Sequence, residues 1–230
     1  KKLIELYKVF SDVHLLKLPF QNDSNYLNKK FYAELLHILG IEEKKENNKI
    51  VIVRKAVGRR NEASLLENTI NQLDAKVPNI AMYGSTQEER LFNVAMELCI
   101  TWINRILFLK LLEAQMLKYH NGEQCYKFLS IQKIRDFDDL NTLFFQVLAR
   151  SVHQRTASVL KDFEYVPYLN SSLFEVTELE SNTIKINSLS QRFELPLFTN
   201  SVLINRKEKQ QFNSLPTLNY LFAFLDAYNF

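Results

Sequence analysis

Glycine, proline and cysteine are scarce in this chain. Its 230 residues include 4 Gly, 5 Pro and 2 Cys. No two glycines are close enough in sequence to form a phosphate- or cofactor-binding turn, which excludes the common nucleotide-binding loops. Two cysteines cannot form a disulfide framework, so we expect a reducing, cytoplasmic environment. Cys99 lies within an apolar run, and we interpret it as a core residue.

Residue patterns for metal-dependent catalysis are also missing. The 4 histidines are scattered, so no His/Cys cluster has the spacing of a metal site. Glu43 and Lys45 have the spacing of a nuclease motif, but they lie in a solvated charged run, and we interpret them as surface residues. The acidic cluster of Asp136, Asp138 and Asp139 is typical of a helix start. The sequence therefore contains no recognisable active site.

Neither a targeting signal nor a membrane span is predicted. Charged residues are spread from Lys1 to Phe20, unlike a signal peptide. The longest apolar stretch is interrupted by charged residues such as Arg105 and Lys110. The chain starts without an initiator Met and ends at Phe230 within an aromatic pattern. We therefore expect it to be a segment of a longer protein.

The remaining composition is typical of an ordered globular chain. Apolar residues make up 47% and charged residues 24%, and the 17 Phe and 10 Tyr favour a packed core over disorder. The net charge of +3 permits contact with nucleic acid but does not by itself indicate it.

Apolar periodicity predicts a mainly α fold, a helical bundle around a long central helix with a small β-containing region towards the C-terminus. The central helix runs from Glu88 to about Tyr119, starts with a capping box at Ser85 and Glu88, and is apolar on nearly every face. The other predicted helices span about 1–16, 25–39, 62–73, 138–149, 151–163 and 216–227, the last with Ser214 as its cap. Strands are predicted at 49–53, 183–187, 193–198 and 201–204, and a charged turn at 42–49.

The pattern divides the chain into three regions. Residues 1–84 hold N-terminal helices with a basic loop and a short strand, and residues 85–165 form the central bundle. Residues 166–230 are a mixed region in which short β-like runs precede the last helix.

A basic stretch covers residues 44–60, where seven cations occur and Glu46 is the only acid. Such side chains neutralise phosphates, and Gly58 would let the backbone approach a DNA strand closely. A solubilising loop between helices is the alternative, because a single basic loop is a weak indication of nucleic-acid binding. The DNA-contact candidates are Lys49, Arg54, Lys55, Arg59 and Arg60.

Charged and aromatic residues inside the long helix are expected to be structural. We expect Arg105 and Lys110 to pair with acids or to extend towards solvent rather than face DNA. Trp102 lies among isoleucines, and we expect it in the core rather than stacked on a base.

Three stretches of the chain carry a family resemblance. Residues 98–115 read LCITWINRILFLKLLEAQ, residues 166–175 read VPYLNSSLFE, and the chain ends in LNYLFAFLDAYNF. In this order they resemble the region that precedes the methyltransferase domain in type IIG-like bacterial restriction–modification enzymes. Ser171 and Ser172 stand where that family often has glycines.

The resemblance implies a parent protein with an N-terminal Mg²⁺-dependent nuclease, a helical connector, an S-adenosylmethionine-dependent adenine-N6 methyltransferase and a target-recognition domain. This chain would be the non-catalytic connector, and residues 166–230 would lead into a methyltransferase domain beyond it. S-adenosylmethionine and Mg²⁺ would be cofactors of the parent enzyme alone. The partners of this segment would be DNA and the adjoining nuclease and methyltransferase domains. No catalytic, cofactor-binding or metal-binding residue is implied within the chain itself.

A helical protein–protein docking module of a multi-subunit defence or methylase complex is the alternative. It would account for the apolar central helix and the small net charge without any contact to DNA. DNA affinity that falls steeply with salt would favour the connector over the docking module.

Overall fold

The first described helix, α1 (Lys29–Leu39), ends where the sequence predicts. Gly40 follows it with φ +86, and its amide donates to the Leu36 carbonyl at 2.9 Å. A Cβ at this position would overlap the Ser64 side chain, so glycine is required for space as well as for its backbone conformation. The computed structural model describes residues 29–76, 83–204, 213–228 and 230. The helix predicted over 1–16 lies outside these ranges.

An antiparallel hairpin follows, made of β1 (Ile41–Glu46) and β2 (Lys49–Arg54). The second strand confirms the prediction, but the predicted charged turn over 42–49 is wrong. Only Asn47 and Asn48 turn, with φ values of 47 and 63, and such a pair of left-handed residues is typical of a tight two-residue hairpin. Pairing with the apolar second strand gives the charged residues of β1 a strand structure that their own propensity does not favour.

The central helix is α3 (Gln87–Tyr119), preceded by α2 (Leu65–Lys76). Its 33 residues give it a length of about 50 Å. Its cap is Thr86 rather than the predicted Ser85: the Glu89 amide donates to the Thr86 hydroxyl at 3.2 Å. At the other end the Gly122 amide, two residues past the helical cap, reaches the Leu117 carbonyl at 2.7 Å and closes the last turn.

Shorter helices follow the central one: α4 (Phe137–Thr142), which continues as a π-helix over Leu143–Leu148, and α5 (Ala157–Phe163). Asp136 caps α4, because its carboxylate accepts the Asp139 amide at 2.9 Å. This confirms the acidic cluster as a helix start. The helix predicted over 151–163 is wrong in its first part, where Val152–Gln154 forms a separate 3-10 turn.

The C-terminal region contains α6 (Glu178–Asn182), β3 (Glu194–Pro196), β4 (Ser214–Pro216) and α7 (Thr217–Asp226). β3 pairs with β4, whereas the strands predicted at 183–187 and 201–204 are wrong, because neither segment pairs with another strand. Ser214 does not cap α7; it belongs to β4, and its hydroxyl donates to Glu194.

One hydrophobic core runs from Phe31 in α1 to Tyr228 after α7, with Trp102 completely buried on the central helix. Cys99 is also buried, as predicted, and burial raises the pKa of its thiol to about 12. The described part contains seven α-helices, the long one central, and two small two-stranded sheets, the second near the C-terminus. The predicted fold class is confirmed.

Candidate functional site

Arg54, the DNA-contact candidate at the end of β2, is held by carboxylates. Its Nε and Nη2 donate to Glu67 at 2.8 and 2.6 Å, and its Nη1 lies 3.2 Å from Glu88. Only 16% of the Arg54 side chain and 7% of the Glu67 side chain are exposed. A two-pronged, nearly buried pair of this kind fixes the hairpin to α2 and leaves little of the guanidinium for a phosphate.

Arg59 and Arg60 follow in the turn before α2 and also have acidic neighbours. Arg59 pairs with Glu42 of β1 at 2.7 Å while remaining exposed. Arg60 donates to the Lys55 carbonyl at 2.8 Å and to Glu88 at 3.1 Å. Glu42 and Glu88 lie 17 and 28 residues away in sequence from Arg59 and Arg60, so the sequence pattern of the basic stretch could not reveal these pairs.

Lys49 and Lys55 have no carboxylate partner within the described residues. Lys49 is exposed at the start of β2. Lys55 is half-buried, and burial lowers the pKa of its ammonium group, although the charge of Glu42 works in the opposite direction. Among the five candidates, Lys49 and Arg59 therefore remain the exposed cations of the hairpin surface.

A cavity of about 300 Å³ lies where the hairpin meets the start of α3. Arg54 and Arg60 line it together with Glu88 and Glu89, so two cations face two carboxylates. The charges balance within the cavity wall, and the cavity has no electrostatic preference for an anion.

Arg105, in the middle of the central helix, is completely buried and paired, as predicted. Its Nη1 and Nη2 donate to the two carboxylate oxygens of Glu180 at 2.6 and 2.9 Å. Although burial works in the opposite direction, the hydrogen bonds from Arg105 hold the pKa of Glu180 below its ordinary value. Trp102 donates its indole N–H to the same carboxylate at 2.8 Å, so the polar atom of this buried side chain has a hydrogen-bond partner.

Two further N–H donors of Arg105 bind backbone carbonyls. Its Nε donates to the Leu173 carbonyl at 2.7 Å and its Nη2 to the Glu175 carbonyl at 2.8 Å. The guanidinium also lies 5.5 and 5.2 Å from the ring centres of Phe144 and Phe145. The cation is thus enclosed by a carboxylate, two carbonyls and two aromatic faces, which satisfies it within the protein.

Lys110, five residues further along α3, forms a second network. Its ammonium group lies 2.7 Å from Glu113 and 2.6 Å from Asp226 of α7, and Lys127 binds the other Asp226 oxygen at 2.7 Å. Although burial works in the opposite direction, the hydrogen bonds from Lys110 and Lys127 hold the pKa of Asp226 below its ordinary value. The pairing of Lys110 with acids is confirmed.

These two networks join the three stretches that carry the family resemblance. Arg105 and Lys110 lie in the first stretch. Leu173 and Glu175, whose carbonyls bind Arg105, lie in the second, and Asp226 lies in the third. The stretches are far apart in sequence, and one buried and one part-buried network of charged groups hold them together in the fold.

Glu34 forms a third buried polar cluster, one that the sequence did not indicate. It is 1% exposed and accepts the Tyr220 hydroxyl at 2.8 Å, the Ser201 hydroxyl and the Val202 amide at 3.2 Å. Burial raises the pKa of Tyr220. The cluster ties α1 to α7 through neutral donors.

The other residues considered for metal binding or catalysis do not form a site in the described ranges. Within the described ranges, no three His, Cys, Asp or Glu side chains lie close enough to hold a metal ion. Glu43 and Lys45 lie on the exposed strand β1, where Glu43 accepts the Tyr32 hydroxyl at 2.9 Å. None of the helices in these ranges is both long enough and apolar enough to cross a membrane.

A family model described as a domain of unknown function, DUF7814, matches residues 24–230, nearly the whole chain. No curated protein and no solved structure matches the chain.

Proposed function

The chain belongs to the DUF7814 family, a domain family of unknown function, and we propose that it is a non-catalytic, DNA-associated helical connector. The parent protein would be a cytoplasmic restriction–modification enzyme that methylates adenine N6 with S-adenosylmethionine and cleaves DNA with Mg²⁺. The connector would join its nuclease and methyltransferase domains.

The observation that carries this proposal is the pair of charged networks around Arg105, which is buried, and Lys110, which is part-buried. They fasten the segment from Leu173 to Glu175 and the last helix, at Asp226, to one long helix. A spacer between two DNA-acting domains has to keep its ends at a fixed separation, which a flexible linker does not do. Internally satisfied buried charges suit this task.

The DNA association is supported at the hairpin surface by Lys49 and Arg59. Both side chains are exposed, Arg59 while paired with Glu42, whereas Arg54 and Arg60 are less exposed and are engaged with Glu67 and Glu88. We therefore narrow the phosphate contacts proposed for this surface to Lys49 and Arg59.

Salt-dependent DNA binding tests the association. The chain is titrated against a fluorescent duplex between 50 and 200 mM salt, concentrations over which phosphate contacts weaken strongly. We expect the logarithm of the association constant to fall linearly with the logarithm of salt concentration, by about 0.9 per phosphate neutralised.

Absence of binding to the duplex at the lowest salt concentration would instead favour the docking module of a multi-subunit defence or methylase complex. That alternative is supported by the exposed apolar residues of the central helix, Ile100, Phe108 and Leu111, which are 48%, 41% and 49% exposed. Co-purification of a partner subunit, lost when Phe108 and Leu111 become Ser, would support it.

A further inference from the structure

Cations and amide donors line a groove formed by the segment after the central helix and by α5. Two adjoining cavities of about 360 and 290 Å³ share Gln132 and Lys133 as a common wall. Lys127 lies in the first cavity, and Arg135 and Lys161 lie in the second. We name this surface, with its four cations Lys127, Lys133, Arg135 and Lys161, the lysine groove.

The lysine groove has an excess of positive charge. Its four cations face a single carboxylate in the lining, Asp162. Lys127 and Arg135 are engaged with Asp226 and Asp139 outside the lining.

The other two groove lysines are not neutralised within the described ranges. Lys133 donates to the Cys125 carbonyl at 2.9 Å, and neither it nor Lys161 has a carboxylate partner there. Lys133 lies in the shared wall and Lys161 in the second cavity. The second cavity is therefore lined by two lysines without a carboxylate partner in these ranges, unlike the charge-balanced hairpin cavity.

The remaining lining fits a phosphodiester backbone. Gln124 and Gln132 offer amide donors, and no apolar side chain lines either cavity. A lipid chain or a stacked base would need an apolar or aromatic wall. Two adjoining polar cavities with a lysine between them suit neighbouring phosphates of one strand, which are positioned by charge and hydrogen bonds without base contacts.

We propose that the lysine groove binds the phosphate backbone of duplex DNA without reading its sequence. This inference rests on the proposed DNA association and adds a surface to it that the sequence did not indicate. The basic residues of the groove are spread over 127–161 among acids, so no basic stretch marks them in the sequence.

The test compares two charge-matched double variants in the salt titration. In Lys133→Gln/Lys161→Gln we expect the slope of log affinity against log salt to become shallower by about two, because about 0.9 is lost per contact. Affinity at low salt should fall at least tenfold. The comparison variant, Lys45→Gln/Lys49→Gln on the hairpin, removes the same charge from a surface where only Lys49 is a proposed phosphate contact, and we expect it to lose about half as much slope.

Two further variants have effects that misfolding would not mimic. Lys161→Gln breaks no intramolecular bond within the described residues and should reduce the slope by about one. Asp162→Asn removes the carboxylate of the lining and should tighten DNA binding by severalfold. A groove double variant that binds like wild type, while the hairpin variant weakens, would overturn the proposal and leave the DNA association intact.

Competition with inorganic phosphate at matched ionic strength distinguishes a site for the DNA backbone from a site for a small anion. We expect it to leave duplex binding unchanged, because a single phosphate cannot span both cavities. Displacement of DNA by phosphate beyond the effect of chloride at the same ionic strength would overturn the backbone assignment. If the wild-type chain binds no DNA, the proposed function itself fails, and this is evident before any variant is measured.

Discussion

Arg105 is a cation that the fold must neutralise completely, because it is buried without access to water. Glu180 supplies the opposite charge, and the carbonyls of Leu173 and Glu175 accept two further hydrogen bonds. An unpaired buried charge costs several kcal/mol of folding free energy. Replacing only one partner of a buried ion pair therefore destabilises the fold more than replacing both partners with apolar residues of similar size.

Replacing Arg105 with Met is therefore expected to destabilise the chain by about 3–5 kcal/mol, because Glu180 would remain buried without its counterion. Urea unfolding followed by circular dichroism measures the change. Arg150→Met, at an exposed arginine, is the matched control, with an expected change within about 0.5 kcal/mol. Equal unfolding midpoints for the two variants would show that the Arg105 network contributes nothing to stability.

The two cysteines should differ sharply in reactivity. Cys99 is buried beside Thr69, and its thiol pKa is raised to about 12, so the reactive thiolate is nearly absent at neutral pH. Cys125 is half-buried near the surface. With a chromogenic disulfide reagent at pH 8, we expect one thiol to react in the folded chain and the second only after denaturation. Rapid reaction of both thiols in the native chain would mean that the core around Cys99 opens readily.

At the scale of secondary structure, the hairpin turn depends on two residues with positive φ. A β-branched residue is strained in the left-handed conformation that Asn48 adopts, by about 1–2 kcal/mol, whereas glycine is not. We expect Asn48→Val to lower the free energy of unfolding by about that amount and Asn48→Gly to leave it unchanged or raise it slightly. Equal stabilities of the Val and Gly variants would contradict the turn geometry.

Elements with strong local signals could be predicted from the sequence. Apolar periodicity specifies the central helix, and β-branched residues specify the strand β2. The backbone conformation of Gly40 specifies the end of α1. All three signals act locally. The strand β1 could not be predicted in this way, because its Glu and Lys residues become extended only by pairing with β2. The Asn47-Asn48 pair was the local signal that could have found the hairpin.

The candidate site could also be predicted only in part from the sequence. The sequence identified the cations of the basic stretch, but the acids that neutralise Arg54 and Arg60 come from α2 and the start of α3. Charge counted along the chain therefore overstated the free charge at the hairpin. It also missed the lysine groove, whose cations are brought together by tertiary packing of segments more than twenty residues apart.

At the scale of the whole molecule, the buried ion pairs make stability depend on pH. Ion pairing holds the pKa values of Glu180 and Asp226 below their ordinary values in the folded chain. The unfolded chain therefore binds protons first as the pH falls. The stabilisation is fully present above about pH 5, just above the ordinary pKa values of carboxyl groups, and is lost as the pH falls through the lower folded-state values.

We expect the urea midpoint to decline between about pH 5 and pH 2, the range in which carboxylates of depressed pKa lose their contribution. Asp226→Asn should decline less over this range, since one of the titrating groups is gone. Asp138→Asn, at an exposed carboxylate outside these pairs, is the control and should follow the wild type. A wild-type midpoint that does not change with acidification would contradict a fold held by these pairs.

The same networks are the basis for regarding the chain as a rigid connector. Arg105 and Lys110 lie five positions apart on α3 and fasten the Leu173–Glu175 segment and α7 to it. Forces on the Leu173–Glu175 segment or on α7 would then be transmitted directly to α3. The connector role has meaning only if the parent protein acts on DNA.

Methyl transfer by the product of the full reading frame tests this most directly. The product is incubated with unmethylated DNA, labelled S-adenosylmethionine and Mg²⁺, and the nucleosides are analysed for labelled N6-methyladenine. We expect labelled N6-methyladenine, with cleavage as a second activity. A well-folded product that transfers no methyl group would contradict the connector proposal and favour the docking module.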